Sequence, residues 1–174
     1  MTVETVAPTG RAVTFPLDDI IVSKTDLKGR ITYANRVFIE VSGYTEEELL
    51  GAPHNIIRHP DMPGCVFAFL WDTIAAGHEV FAYVVNMART GDHYWVHAHV
   101  TPTFDGNGRI IGYHSNRRVP RPEAIAKVEP LYAALRAEEA KYPVRRDAVA
   151  AGMALLGSTL EGMGLTYEEF VWRL

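Results

Sequence analysis

VFAYVVNMARTGDHYWVHAHVTPTFDGNGRIIGYHSNRRV, residues Val80–Val119, decides the fold class. Val80–Ala88 is β-branched and aromatic, and Arg89-Thr90-Gly91-Asp92 after it is turn chemistry. His93–Phe104 alternates, and Asp105-Gly106-Asn107-Gly108 then makes a second hairpin turn before the strand Arg109–Val119. Three strands in a row with no helix between them predict an antiparallel sheet. On the middle strand His97 and His99 share a face with Trp95, while Val96, Ala98 and Val100 share the other.

Upstream, Asp19–Asp26 and Arg30–Ala34 read as two short strands joined by a turn at Asp26–Arg30, where Gly29 can take a positive φ. Asn35 suits a helix N-cap, with Val37, Phe38 and Val41 at helical spacing and Gly43 as the stop. Thr45-Glu46-Glu47-Glu48 reads as a capping box. Pro53, Pro60 and Pro63 bracket an irregular segment, and a longer amphipathic helix runs from Gly64 to Ala76. Two strands, short helices and three strands make an α+β domain rather than an alternating α/β one.

Beyond Val119 the character changes. Residues 122–141 are rich in helix formers, with Pro122 at a start and Pro130 expected to kink or split the helix. Asp147–Gly164 reads as a second, looser helix. Thr166–Phe170 opens another capped turn, and Phe170 and Trp172 look exposed enough to dock on something. The expected organisation is a leader or cap over 1–16, a sensor domain over 17–119 and a helical output segment over 120–174.

Composition narrows the function classes. The chain has 174 residues, 48% hydrophobic and 22% charged, which is ordinary for a globular protein. A net charge of −4 gives no footprint for nucleic acid. Cys65 is the single cysteine, so no intramolecular disulfide forms. The first 15 residues lack a secretory signal pattern, and the apolar run Ala148–Leu160 is too short for a bilayer span, so a cytoplasmic protein is expected. No GxSxG, P-loop or GxGxxG motif points to an enzyme, and no Cys/His spacing points to a metal.

Several motifs resemble a PAS domain of the aerotaxis-receptor branch. They are Thr25-Asp26-Leu27 with Ile31-Thr32-Tyr33-Ala34-Asn35, Val41-Ser42-Gly43-Tyr44-Thr45, Pro53–Pro63 (PHNIIRHPDMP), Gly91–Val96 (GDHYWV) and Val128–Leu135 (VEPLYAAL). That resemblance implies a five-stranded antiparallel sheet with short helices on one face and a C-terminal helical extension. It also implies a pocket for FAD whose redox state is sensed, a homodimer, and a chemoreceptor or other signalling protein as partner. Haem held by His54, His59, His78 or His93 is the alternative cofactor, and a cofactor-free dimerisation module the alternative function.

The resemblance places Asn35, Arg58, His59, Asp61, Trp71 and Asn86 at the cofactor. Asn35 and Asn86 match the mixed donors and acceptors of a flavin edge. Arg58 suits a phosphate or a carbonyl, His59 titrates near neutrality, and Trp71 offers a flat wall. Simpler roles compete: Asn35 and Asp61 as helix caps, Trp71 as core. Flavin-binding relatives carry a tryptophan near the start of the third strand, where this chain has His78-Glu79-Val80-Phe81.

Overall fold

In the computed structural model, which describes residues 6–174, β1 (Ile21–Thr25) pairs antiparallel with β2 (Ile31–Ala34). The Asp26 carboxylate accepts from Lys28 N and Arg30 N, and Gly29 at φ 75° closes the turn. α1 (Arg36–Ser42) starts at Asn35, whose Oδ1 accepts from Phe38 N, and ends at Gly43 in the left-handed region. α2 (Glu46–Leu49) carries the full Thr45/Glu48 capping box. A 3-10 turn (His54–Ile57) leads to α3 (Gly64–Ala75).

β3 (Val80–Met87), β4 (His93–Phe104) and β5 (Ile110–Arg118) complete one sheet in the order β2-β1-β5-β4-β3, with every pairing antiparallel. Its inner face presents Ile21, Ser23, Tyr94, Val96, Ala98 and Val100, all buried under the helices. The outer face carries Trp95, His97 and His99, as alternation requires. Residues 6–15 lie along the start of β4, where Thr9 N donates to Gly91 O and Val13 N to His93 O. The remainder of the expected leader falls outside the described residues.

The tail departs from expectation in two ways. α4 (Pro122–Glu139) runs through Pro130 as one helix. Pro130 forfeits one backbone bond, but Val128, Tyr132 and Leu135 on either side are buried, and that packing holds the turn together. α6 (Tyr167–Arg173), with its Thr166/Glu169 capping box, turns Phe170 inward instead of exposing it. Trp172 stays 56% exposed while its ring lies 4.7 Å from Phe81 on the outer face.

Between them, α5 (Arg145–Met163) packs on both α3 and α4 and is closed by Gly164 in the left-handed region. The helices therefore cover β3, the edge strand. Tyr132 OH donates to Tyr83 O at 2.6 Å, and the backbone of Arg58 bridges Asn86. Covering an edge in this way removes its unpaired peptide groups from solvent. None of the helices taken singly is long and apolar enough to cross a membrane, among the described residues.

Candidate cofactor cavity

A cavity of about 420 Å³ lies between the inner face of the sheet and the helices. Small or slender residues on the strands (Ser23, Thr25, Ala98 and Val100) leave the floor low. Phe67, Leu70, Trp71 and Ile74 of α3 form the roof, and α5 reaches its rim with Arg145 and Val149. This size, with apolar walls and polar groups set among them, is that of a small-molecule site.

The buried cation of the cavity is Arg117, on the inner face of β5 and only 2% exposed. Its Nη2 donates to Ser23 Oγ at 2.5 Å, and the guanidinium sits over the Phe38 ring at 4.4 Å. Among the described residues Nε and Nη1 have no partner, and no carboxylate lines the cavity. Burial pulls its pKa down to about 10, which still leaves it charged at neutral pH. Ser23 Oγ, having accepted from Arg117, has its own proton for His54 Nε2, 3.1 Å away. Burial, and then the Arg117 charge, hold the His54 pKa down to about 3, so His54 is a neutral acceptor with its proton on Nδ1. Thr25 Oγ1, at the same wall, is buried and unpartnered.

Of the residues expected at the site, Arg58, Trp71 and Asn86 come together here. Arg58 stacks over Phe67 at 4.6 Å, and burial followed by the nearby Arg145 charge lowers its pKa. Trp71 meets Tyr113 edge-on at 5.5 Å. A methyl group at Gly29 would press within 3.0 Å of the Trp71 ring, so glycine makes room for that wall. Asn86 is 4% exposed.

The other three lie elsewhere. Asn35 is a scaffold residue: Oδ1 accepts from Val22 N and Phe38 N, and Nδ2 donates to Ile20 O. Its donors and acceptor are taken up in tying α1 to β1. His59 and Asp61 border a second depression with His93, Trp95 and Arg136. There His59 Nδ1 accepts from Asp61 N at 3.0 Å, and Asp61 pairs with Arg136. Burial lowers the His59 pKa despite the Asp61 charge, so this histidine is neutral at pH 7.

Asp61 does not cap α3. That role falls to Glu139 at the end of α4, whose Oε2 and Oε1 accept from Gly64 N (2.9 Å) and Cys65 N (2.7 Å). Phe81 does not replace the missing tryptophan, because it is on the outer face, stacked on His99 at 4.1 Å. His99 pairs with Glu79, and no group of three metal-binding side chains exists among the described residues.

Arg117, Ser23, Lys28 and Arg145 are among the lining residues that sequence reasoning did not single out, and His54 entered it only as a candidate haem ligand. The signal for Arg117 was parity: Tyr113, Ser115 and Arg117 alternate on β5, putting a cation on the buried face. Arg145 carried no such signal, since only the docking of α5 brings it to the cavity.

A family profile described as the PAS fold matches residues 31–117. The chain is 46% identical over 132 residues to the aerotaxis receptor of Escherichia coli strain K12, an alignment covering 76% of this chain and 26% of the receptor. The chain thus spans about a quarter of that relative's length. The dark structure of the blue-light photoreceptor Aureochrome1 LOV superposes with a TM-score of 0.58 at 20% identity, covering 67% of this chain and 86% of that one. A light-oxygen-voltage domain studied with a flavin analogue superposes at 0.56 and 19% identity, covering 64% and 84%. At those identities the superpositions speak for the fold.

Proposed function

This chain belongs to the PAS family, with a domain of the aerotaxis-receptor type, and from that premise we propose that its cavity holds a flavin, FAD in the first instance, whose redox state it reports to a signalling partner. The single observation that carries the reading is Arg117, a buried cation without a counter-charge, at a cavity whose volume its own side chains leave unfilled. Burying an unpaired charge is costly, and it persists where something bound offsets it. An isoalloxazine ring has the flat shape for the Trp71 wall and the carbonyl oxygens for a guanidinium. The light-oxygen-voltage relative studied with a flavin analogue shares the fold.

When bound, the flavin supplies the electron-transfer chemistry. The chain's residues do the rest. Arg117 sets a positive field that favours added negative charge on a ligand. Trp71 and Tyr113 exclude water from one end, and Asn86 and Arg58 present polar groups at the edge of β3. That edge is also where Tyr132 of α4 holds Tyr83 O. A change in hydrogen bonding at Asn86 thus has a short covalent and hydrogen-bonded route to α4.

Two observations favour flavin over the alternatives. Of the four histidines named for haem, His54 alone lines the cavity, and its Nε2 is engaged by Ser23. A cofactor-free module needs the space filled, and about 420 Å³ is open. The signalling partner is a second copy or a receptor-type protein meeting the outer sheet face or the tail. Hydrogen exchange on flavin-loaded protein, oxidised against chemically reduced, tests the reporting role. The reading expects altered protection in α4 and α5; identical exchange in both states overturns it.

A further inference from the structure

The cavity is unlike the rest of the molecule in charge. The chain as a whole is at −4, yet Lys28, Arg58, Arg117 and Arg145 all line this space and no aspartate or glutamate does. Arg117 sits at depth under the sheet, whereas Arg58 and Arg145 meet where the roof helix α3 and the tail helix α5 come together.

Arg145 is oddly placed for a structural residue. It occupies the first position of α5, where the helix dipole opposes a cation and Val144 offers no side-chain cap. It makes no ion pair among the described residues, while its neighbour Arg146 pairs with Asp147. Its charge, second to burial, depresses the Arg58 pKa, while Glu139 acts in the opposite direction. Arg145 itself is exposed, but the helix that carries it is seated. One turn on, Val149 is also at the cavity and packs beside Gly64, and Gly152 sits against Cys65 and Glu139. Glu139 is the carboxylate near Arg58, but its two oxygens accept from Gly64 N and Cys65 N and it forms no ion pair with either arginine among the described residues, so two guanidinium groups on one cavity wall are left as a receptor for a phosphate, which accepts forked hydrogen bonds from both.

We infer that the C-terminal extension completes the binding site, with Arg145 of α5 joining Arg58 and Lys28 to hold the phosphate of the bound nucleotide. The inference rests on the flavin reading above and adds which residues hold the phosphate of that ligand, Arg145 of the tail among them. It also couples binding to tail docking, because a ligand gripped from α5 stabilises α5 on α3 by the same free energy.

The test uses the full chain and its Arg145→Ala and Arg145→Lys variants, titrated with FAD, FMN and riboflavin. Arg145→Ala is expected to weaken FAD and FMN about tenfold or more, as loss of a charge-assisted phosphate contact does, and to leave riboflavin within about twofold. Arg145→Lys restores part of the loss. Unfolding temperatures of the ligand-free variants are expected to match the wild type, since Arg145 is exposed and its side chain bonds no group among the described residues. An equal loss for riboflavin makes Arg145 merely structural, and no loss for FAD and FMN removes it from the site; either overturns the inference while leaving the flavin reading intact. A wild-type protein that binds none of the three overturns the flavin reading itself.

Discussion

Replacing Gly152 by alanine reverses the usual rule for helices. In the interior of an exposed helix that change stabilises by about 1 kcal/mol. At Gly152 a Cβ would stand 2.7 Å from Glu139 Oε1, 2.9 Å from Cys65 Sγ and 3.0 Å from Cys65 Cβ. Relieving the Cys65 contact requires α5 to back away from α3, and relieving the Glu139 contact requires that carboxylate to leave Gly64 N and Cys65 N as well. Overpacking of this kind costs about 1–3 kcal/mol. Loss of hydrogen bonds to a charged acceptor costs about 1.5–3 kcal/mol more. Against the propensity gain, the net destabilisation is about 3 kcal/mol, or roughly 6–12 °C in Tm for a chain this long. Gly157, on the same helix with nothing within 4 Å of its would-be Cβ, is the internal control. Gly157→Ala should raise Tm by roughly 2–4 °C. Thermal unfolding by circular dichroism reads both. A Gly152→Ala protein melting at or above the wild type would mean that α5 is not seated on α3, and the account of the tail would fall with it.

Three further outcomes are expected. His54 is neutral in the fold with its pKa near 3, so the unfolded chain takes up a proton below about pH 6.5 that the folded one refuses. Stability therefore falls as pH drops from 7 to 5, by about 2 kcal/mol from this group, and denaturant titrations of His54→Gln should lack that portion. Arg117→Met removes an uncompensated buried charge, so ligand-free stability should stay within about 1 kcal/mol of the wild type or exceed it, while flavin affinity drops at least about tenfold; a collapse in ligand-free stability would show that Arg117 serves the fold. The Cys65 thiol is buried and its pKa is pushed up to about 12, first by burial and then by Glu139. It should react with a disulfide reagent only as fast as α3 and α5 separate, and rapid stoichiometric labelling of the native protein contradicts that.

The sheet was legible because its signals are local. Alternation over His93–Val100, the Asp105–Gly108 turn and the Thr45/Glu48 capping box each act within a few residues. Arg58, Trp71 and Asn86 were legible as a group only through the resemblance. Nothing in their own neighbourhoods says that a proline-bounded turn, a helix and an edge strand converge. Asn35 and His59 show the limit of carrying a role by motif, since the same side chain can spend its hydrogen bonds on Ile20 and Val22, or on Asp61, in the folded chain. Pro130 was misread because its penalty is local while the packing of Val128, Tyr132 and Leu135 is not. Glu139 as the cap of α3, 75 residues from Gly64, had no sequence signature.

The central claim is that the space above Arg117 belongs to a flavin. Gel filtration of the full chain after incubation with FAD, followed by a visible absorption spectrum of the protein peak, tests it most directly. The account predicts retained FAD approaching one per chain, greatly diminished in Arg117→Met. Protein emerging colourless from an excess of FAD would contradict it.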